Sequence, residues 1–168
     1  MHYVSWDRSD RDNLKLLAEA GPEVLGEFTH DRAVVAGQQW ELLASPESGA
    51  VASRGGAEFV RAHDSLKRAK QIRVDVEGRT YLMVAETSKN WIVDDASGTK
   101  VAQFTSDHNG VRKAILEFEG ETELSLLDVA ALAWVSREIL EARKIVSSNV
   151  LIATLLLFSL VAVLVFVL

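Results

Sequence analysis

The C-terminal segment of the chain, residues 145–168, contains no charged residue, no glycine and no proline. From Val150 onward only Thr154 and Ser159 are polar. As an α-helix, the part from Val150 to Leu168 would be about 28 Å long, close to the roughly 30 Å thickness of the hydrocarbon core of a bilayer. A helix that is apolar on all sides needs cover from lipid or from protein. The segment therefore predicts a single transmembrane anchor, with a buried core helix as the alternative.

The charged residues before this segment predict its orientation. Arg137, Arg143 and Lys144 precede it and are expected at the membrane interface. Loops rich in lysine and arginine stay on the cytoplasmic side of a membrane. We therefore expect a single-pass protein of the plasma (inner) membrane whose N-terminal domain is cytoplasmic. The absence of cysteine agrees with a reducing compartment.

The anchor also carries a face that is suited to contact with another helix. Small residues let helix backbones approach closely in a bilayer. Ala153, Thr154 and Ala162 provide such positions, and the last two are separated by about two helical turns. We predict that this face binds the transmembrane part of a larger protein complex. The predicted face consists of Val150, Ala153, Thr154, Leu157, Val161 and Ala162.

The part of the chain before the anchor has the size of one domain. It carries the whole formal net charge of -6, which argues against nucleic-acid binding because that function needs a basic surface. A basic cluster nevertheless lies in its middle. We interpret the cluster either as a solvated loop and strand edge or as a local contact for lipid or for an acidic partner. It contains Arg61, Lys67, Arg68, Lys70 and Arg73.

The N-terminal segment, residues 1–22, is predicted to be helical. Its leucines between Ser9 and Ala20 form an apolar stripe at helical spacing, and Gly21-Pro22 would end the helix. Trp6 lies in the polar part of this segment with no evident core to join. We consider two readings of Trp6, a disordered residue or a small docking anchor for a partner.

Short runs rich in Val, Ile, Phe, Tyr and Trp alternate with turn residues from there to about residue 123. Val76-Glu77-Gly78-Arg79 joins two runs tightly, and residues 94–98 form a second loop with a glycine near its end. This spacing predicts an antiparallel meander or barrel. The candidate strands are Val24–Thr29, Ala33–Ala44, Gly49–Ala52, Glu58–Ala62, Gln71–Val76, Thr80–Glu86, Asn90–Asp94, Lys100–Phe104, Lys113–Glu119 and a weaker Glu121–Leu124.

A helix is predicted to follow at residues 125–144. Ser125 and Asp128 have the spacing of a helix-capping pair. The helix is apolar on nearly every side from Leu126 to Val135 and must therefore be surrounded. We predict a mainly β domain, residues 23–144, in which the sheet wraps around this central helix. The helix would continue through a charged segment into the transmembrane segment.

This arrangement resembles the tubby C-terminal-like group, which includes the phospholipid scramblases, the LURP-one-related proteins and small bacterial relatives. The stretch from Trp91 to Phe104 is similar to a recurring hairpin of that group, aromatic-x-hydrophobic-Asp-x-x-Gly-x-x-hydrophobic. The helix Leu124–Ile139 is similar to its central helix. The resemblance covers roughly residues 30 to 140. It implies a barrel with a buried helix that binds lipid or protein at its surface, and it implies no catalytic residues.

No motif in the sequence indicates an enzyme, and we predict neither a cofactor nor a metal. The four histidines are isolated in the sequence, and none forms a pair with metal-ligand spacing on one element. His30, His63 and His108 each adjoin an aspartate, but neighbours on a strand point to opposite faces. There is no phosphate-binding loop, no nucleophile elbow and no cysteine nucleophile.

We therefore predict a non-catalytic accessory or adaptor subunit of a larger membrane complex. Abundant alanine and valine, with more arginine than lysine, suggest a bacterium of high GC content. A cytochrome bc–oxidase respiratory supercomplex would be a suitable assembly. The alternative is a lipid-binding or lipid-moving module, which follows from the scramblase resemblance.

Overall fold

The computed structural model describes residues 1–87, 90–105 and 115–167. Side chains are described throughout these ranges except at residues 115, 145–151, 153, 160–162 and 164–167. The described part folds into strands followed by one helix. The strands are β1 (Tyr3–Asp7), β2 (Leu14–Ala18), β3 (Val24–Phe28), β4 (Arg32–Val35), β5 (Gln38–Ser45), β6 (Gly49–Arg54), β7 (Ala57–Ala62), β8 (Gln71–Val76), β9 (Arg79–Ala85), β10 (Asn90–Asp94), β11 (Lys100–Thr105) and β12 (Ile115–Phe118), and the helix is α1 (Leu126–Val167).

The strands form one closed antiparallel barrel in which each strand pairs with its neighbours in the chain. Closure joins the ends of the sheet, where β1 pairs with β12 and Val4 lies opposite Leu116. A closed barrel leaves no edge strand with unpaired backbone groups. The prediction of a mainly β, antiparallel barrel is therefore confirmed.

The first half of α1 fills the barrel. Ser125 caps the helix, because its Oγ accepts a hydrogen bond from the backbone N–H of Asp128 at 3.2 Å. Every residue from Val129 to Val135 is at most 1% exposed. These side chains share one core with the inward-facing side chains of the strands. The predicted capping pair and the predicted burial of the apolar helix are both confirmed.

The helix continues without interruption to Val167. Its second half leaves the barrel, and large apolar side chains there are exposed, among them Leu156 at 67% and Phe158 at 66%. Within the described residues, no helix combines the length and the apolar character that a membrane crossing requires.

The predicted N-terminal helix is wrong. Residues 1–22 contain β1 and β2, which complete the barrel, so they belong to the domain that was expected to begin at residue 23. Leu14 and Leu16 are buried, as inward positions of a strand should be. The β2–β3 ladder is irregular between Leu16 and Leu17, and Leu17 is buried as well. This irregularity broke the alternation of the leucines and made their spacing look helical.

The predicted strand Ala33–Ala44 is in fact a hairpin of β4 and β5. Val35 pairs directly with Gln38, so only Ala36 and Gly37 form the turn. Both have positive φ, 50° and 75°, as a type I′ turn requires. Alanine rarely adopts a positive φ, so the sequence at Ala36 does not indicate a turn.

The remaining predicted strands agree with the structure to within about two residues. Gln71–Val76 and Asn90–Asp94 have the predicted bounds. The predicted tight turn at Glu77-Gly78 joins β8 to β9, with Val76 opposite Arg79. The segment Glu121–Leu124 is not a strand but leads into α1. Part of the predicted strand Lys113–Glu119 lies outside the described residues, and β12 covers its remainder except Glu119.

Candidate functional site

The two ends of the barrel differ in charge. The cap end, where α1 begins, is formed by the connections at residues 19–23, 36–37, 55–56, 77–78, 95–99 and 119–125. These connections contain no lysine or arginine. Their acidic residues are Glu19, Glu23, Glu77, Asp95, Glu119, Glu121 and Glu123.

The exit end, where α1 leaves the barrel, carries both signs of charge. Its described connections are residues 8–13, 29–31, 46–48, 63–70 and 86–87. They contain Asp10, Asp12, Asp31, Glu47, Asp64 and Glu86 together with Arg8, Arg11, Lys67, Arg68 and Lys70. The barrel is therefore electrically asymmetric, and its acidic end lies opposite the emerging helix.

A buried ionic network fixes the start of α1 at the cap end. The Asp128 side chain is 3% exposed and accepts a hydrogen bond from Nε of Arg79 at 2.9 Å. It also accepts one from the Ser125 hydroxyl. Tyr81 lies nearby, and burial together with the Asp128 carboxylate raises the pKa of Tyr81 to about 12. This network ties the start of the helix to β9.

A cavity of about 390 Å³ lies beside this network. Leu126 and Leu127 form part of its wall, and Arg54 pairs with Glu77 at its rim. Trp40 also lines it, and the buried Nε1 of Trp40 has no hydrogen-bond partner among the described residues. The remaining lining residues are Val35, Ala36 and Gln38. No sequence pattern predicts this cavity, because its shape depends on how the hairpins meet the helix.

At the exit end, Arg137 holds α1 against the barrel wall. Its Nε donates to Glu141 at 3.1 Å, and its guanidinium lies 5.7 Å from the ring centre of Trp6. Glu138 is half-buried beside it, and partial burial raises the pKa of the Glu138 carboxyl. Trp6 itself is 2% exposed and packs edge-on against Phe28. The proposed docking role of Trp6 is therefore corrected, because its side chain belongs to the core.

Arg143 lies at the mouth through which α1 leaves. Its guanidinium lies 4.5 Å from the ring centre of Trp91, and its Nη2 donates to the carbonyl oxygen of Ala69 at 2.6 Å. Its Nε is buried and has no partner within the described ranges, and the same holds for Nε1 of Trp91. Desolvation lowers the pKa of Arg143. Arg143 as a whole is half-buried, and its side chain forms no ion pair with a carboxylate among the described residues.

The loop that holds Arg143, residues 63–70, is firmly attached to the barrel. Leu66 is 1% exposed and joins the core. The Ser65 hydroxyl donates to the carbonyl oxygen of Pro46 at 3.1 Å. Lys67 forms an ion pair with Glu47. Arg68 and Lys70 are exposed, and their side chains form no ion pair with any residue that the structure describes.

The structure separates the basic cluster that the sequence places together. Arg61 pairs with Glu58 on the outer wall, and Arg73 lies 3.4 Å from Asp75. His63 Nε2 lies 2.6 Å from Oδ2 of Asp75 on the neighbouring strand β8. The sequence places His63 beside Asp64 and does not predict this contact. Burial raises the pKa of Asp75, but hydrogen bonds from Thr80 and His63 outweigh it and leave that pKa below its ordinary value.

Other candidate residues lie further along α1. Lys144 is exposed just after the mouth, and Thr154 and Leu157 are exposed on the projecting helix. The side chains of Val150, Ala153, Val161 and Ala162 lie outside the described residues. In the described ranges, no group of three or more His, Asp and Glu side chains is placed to hold a metal ion.

Comparison with models of protein families, with curated proteins and with solved structures finds no match to this chain.

Proposed function

We propose that this protein is a non-catalytic accessory or adaptor subunit of a larger membrane complex. In this proposal the barrel is cytoplasmic and the end of α1 is a single-pass anchor in the inner membrane of a bacterium. The observation that carries the proposal is the continuity of α1 from the barrel core to Val167. One rigid element would then join the anchor to the domain.

Exposed apolar side chains on the projecting helix support the anchor. Leu155, Leu156, Leu157 and Phe158 are all more than half exposed. Four consecutive large apolar residues cover every side of a helical turn, so no single protein groove can bury them all. The uncharged sequence of residues 145–168 supports lipid as the cover.

The filled barrel supports an adaptor role rather than catalysis. Its interior is occupied by the side chains of α1, which leave the outer wall and the two ends as surfaces for contact. A closed barrel around an apolar helix also supports membership of the tubby-like group as a proposal. A cytochrome bc–oxidase supercomplex remains our proposed context for the partner.

Recovery of partner subunits tests this function. The full chain, purified in mild detergent, should bring down integral membrane proteins in fixed ratio, as identified by mass spectrometry. Leucine at both Thr154 and Ala162 should lower that recovery, because bulk there prevents close helix approach. Ser159→Leu is the matched control on another side of the helix. Equal recovery by all three proteins would refute the proposed binding face, and the absence of any partner would refute the adaptor function.

The cavity at the cap end favours a second candidate, a module that binds or moves lipid. Its volume of about 390 Å³ lies in the range of small-ligand sites, and it combines leucine walls with a charged rim. Under this alternative, the domain should bind lipid vesicles strongly without its anchor.

A further inference from the structure

We propose that the cavity at the cap end binds an aliphatic α-amino acid. The apolar side chain of the ligand would enter the cavity, its carboxylate would bind Arg54, and its ammonium group would bind Glu77. This inference goes beyond the adaptor function and does not depend on the anchor. It also differs from the second candidate function, because the occupant is a small zwitterion and not a lipid.

The first observation is the ion pair at the rim of the cavity. Nη2 of Arg54 donates to Oε1 of Glu77, and both residues line the cavity. A ligand can reach both side chains, since 29% of the Arg54 side chain and 39% of the Glu77 side chain are exposed. A partly exposed ion pair contributes little to stability, so its two charges are available for binding.

The adjacent charges select the class of ligand. A ligand with a single charge would meet one attractive and one repulsive neighbour at this rim. A zwitterion that lies antiparallel to the ion pair gives each of its charges an opposite neighbour. The carboxylate and the ammonium group of an α-amino acid are bonded to the same carbon atom. This spacing suits two protein charges that are in direct contact.

The second observation is the apolar wall of the cavity. Val35 from β4 and the first two residues of α1, Leu126 and Leu127, provide this wall. Val35 is 3% exposed, and both leucines are half-buried, so the wall is continuous with the core. The volume of about 390 Å³ is near the lower end of the range of small-ligand sites. The cavity therefore suits an aliphatic side chain whose charged end stays at the rim.

The third observation is that the structure holds the two charged residues in place. Nη1 of Arg54 donates to Oε1 of Gln38 at 2.5 Å, and its guanidinium lies 4.2 Å from the ring centre of Phe59. Glu77 has a φ of 46°, a conformation that favours glycine or asparagine. Neither of those residues would provide a carboxylate at the rim. Unfavourable backbone conformations of this kind occur at ligand sites, and a preformed site loses less entropy on binding.

Calorimetric titration of the full chain in mild detergent tests the inference with matched ligands. L-leucine carries both charges and an aliphatic side chain. Isocaproate lacks the ammonium group of leucine, isoamylamine lacks its carboxylate, and glycine lacks its side chain. We expect L-leucine to bind and each of the other three to bind roughly 10-fold more weakly, because each has lost one contact. No binding of L-leucine, or equal binding of isocaproate or isoamylamine, would overturn the inference.

Two variants assign the charges. Glu77→Gln should lower the affinity for L-leucine by roughly 10-fold without lowering that for isocaproate, because only the amino acid carries an ammonium group. Arg54→Gln should lower the affinity for L-leucine by a similar factor without lowering that for isoamylamine. A general loss of structure would weaken the binding of every ligand. Equal losses for both ligands in either variant would therefore contradict the assignment of the charges.

A control variant and a lipid complete the test. Glu23→Gln removes one negative charge from the cap end outside the cavity and should leave the affinity for L-leucine unchanged. A loss equal to that of Glu77→Gln would overturn the inference. Tighter binding of laurate than of L-leucine would assign the cavity to lipid and would overturn it as well. The titration contains neither a partner nor a bilayer, so its result is independent of the adaptor function and of the anchor.

Discussion

Ala131→Asp tests whether α1 is the core of the barrel. Ala131 is fully buried at 0% exposure, and its neighbours Ala130 and Leu132 are equally inaccessible. A carboxylate at this position would have neither water nor a counter-ion. The substitution should therefore destabilise the domain much more than any change at its surface.

The magnitude follows from ionisation, hydrogen bonding and volume. A buried carboxyl has a pKa of about 8 to 9, so it is neutral at pH 7, and protonating an aspartate there costs about 4 kcal/mol. Leaving the neutral group without a partner adds about 1–3 kcal/mol, and crowding adds a similar amount. The total of about 6–10 kcal/mol is comparable with the whole stability of a domain, about 5–15 kcal/mol.

Urea unfolding of the full chain in detergent, followed by tryptophan fluorescence, measures this loss. Ala57→Asp is the matched control, because Ala57 is exposed on β7. We expect the control to change the unfolding free energy by less than about 1 kcal/mol and Ala131→Asp to remove most of it. If both variants unfold alike, α1 is not enclosed by the sheet.

The pH dependence identifies the cause. The aspartate at position 131 would hold its proton in the folded state and release it on unfolding at pH 7. Its ionisation penalty of about 4 kcal/mol should therefore disappear as the pH falls through about 4, whereas the crowding penalty should remain. A difference from wild type that does not change between pH 7 and pH 4 would show that the side chain reaches water.

Three other predictions concern single positions in the barrel. Gly49→Ala would place Cβ 2.0 Å from the carbonyl oxygen of Ala62 at a φ of +108°, so it should lower the urea midpoint more than Gly78→Ala, whose Cβ would meet no atom within 4 Å. Trp6→Ala should lower the free energy of unfolding by about 3–5 kcal/mol, because it removes a large side chain from the core. The same substitution of a docking residue at the surface would leave that free energy almost unchanged. The pKa of Tyr81 is raised to about 12, so the folded protein keeps the Tyr81 proton at a pH where the unfolded chain has released it. The contribution of Tyr81 to the free energy of unfolding is therefore complete below pH 10 and is lost as the pH rises toward 12. Tyr81→Phe should lose less unfolding free energy over that pH interval than the wild-type chain does. Equal losses in the two proteins would exclude the ionisation of Tyr81 as the cause of the pH dependence.

Most of the barrel could be predicted from local pattern. Strands such as β8 and β10 alternate apolar and polar residues and end at turns with glycine, aspartate or asparagine. The pattern failed at Leu16 and Leu17, where the ladder is irregular, and at Ala36, which has positive φ without the usual turn residue. At both positions tertiary pairing overrides the local preference.

The candidate site depends on contacts between distant residues and was therefore largely hidden. Arg143 was predicted to be a membrane-interface charge, but its contacts with Ala69 and Trp91 exist only because the barrel closes around α1. The pairing of Arg79 with Asp128 likewise joins residues 49 positions apart. Sequence reasoning identified the capping role of Asp128 because that partner, Ser125, is local.

Extraction of the protein from membranes tests most directly the central claim, which is that residues 145–168 anchor the chain in lipid. Cells that express the full chain, or a chain ending at Lys144, are fractionated, and the membranes are washed with high salt and then with alkaline carbonate. We predict that the full chain stays in the membrane pellet, because residues 145–168 are anchored in lipid, and that the shortened chain appears in the supernatant as a folded barrel. Release of the full chain by carbonate, or retention of the shortened chain after the salt wash, would contradict the account.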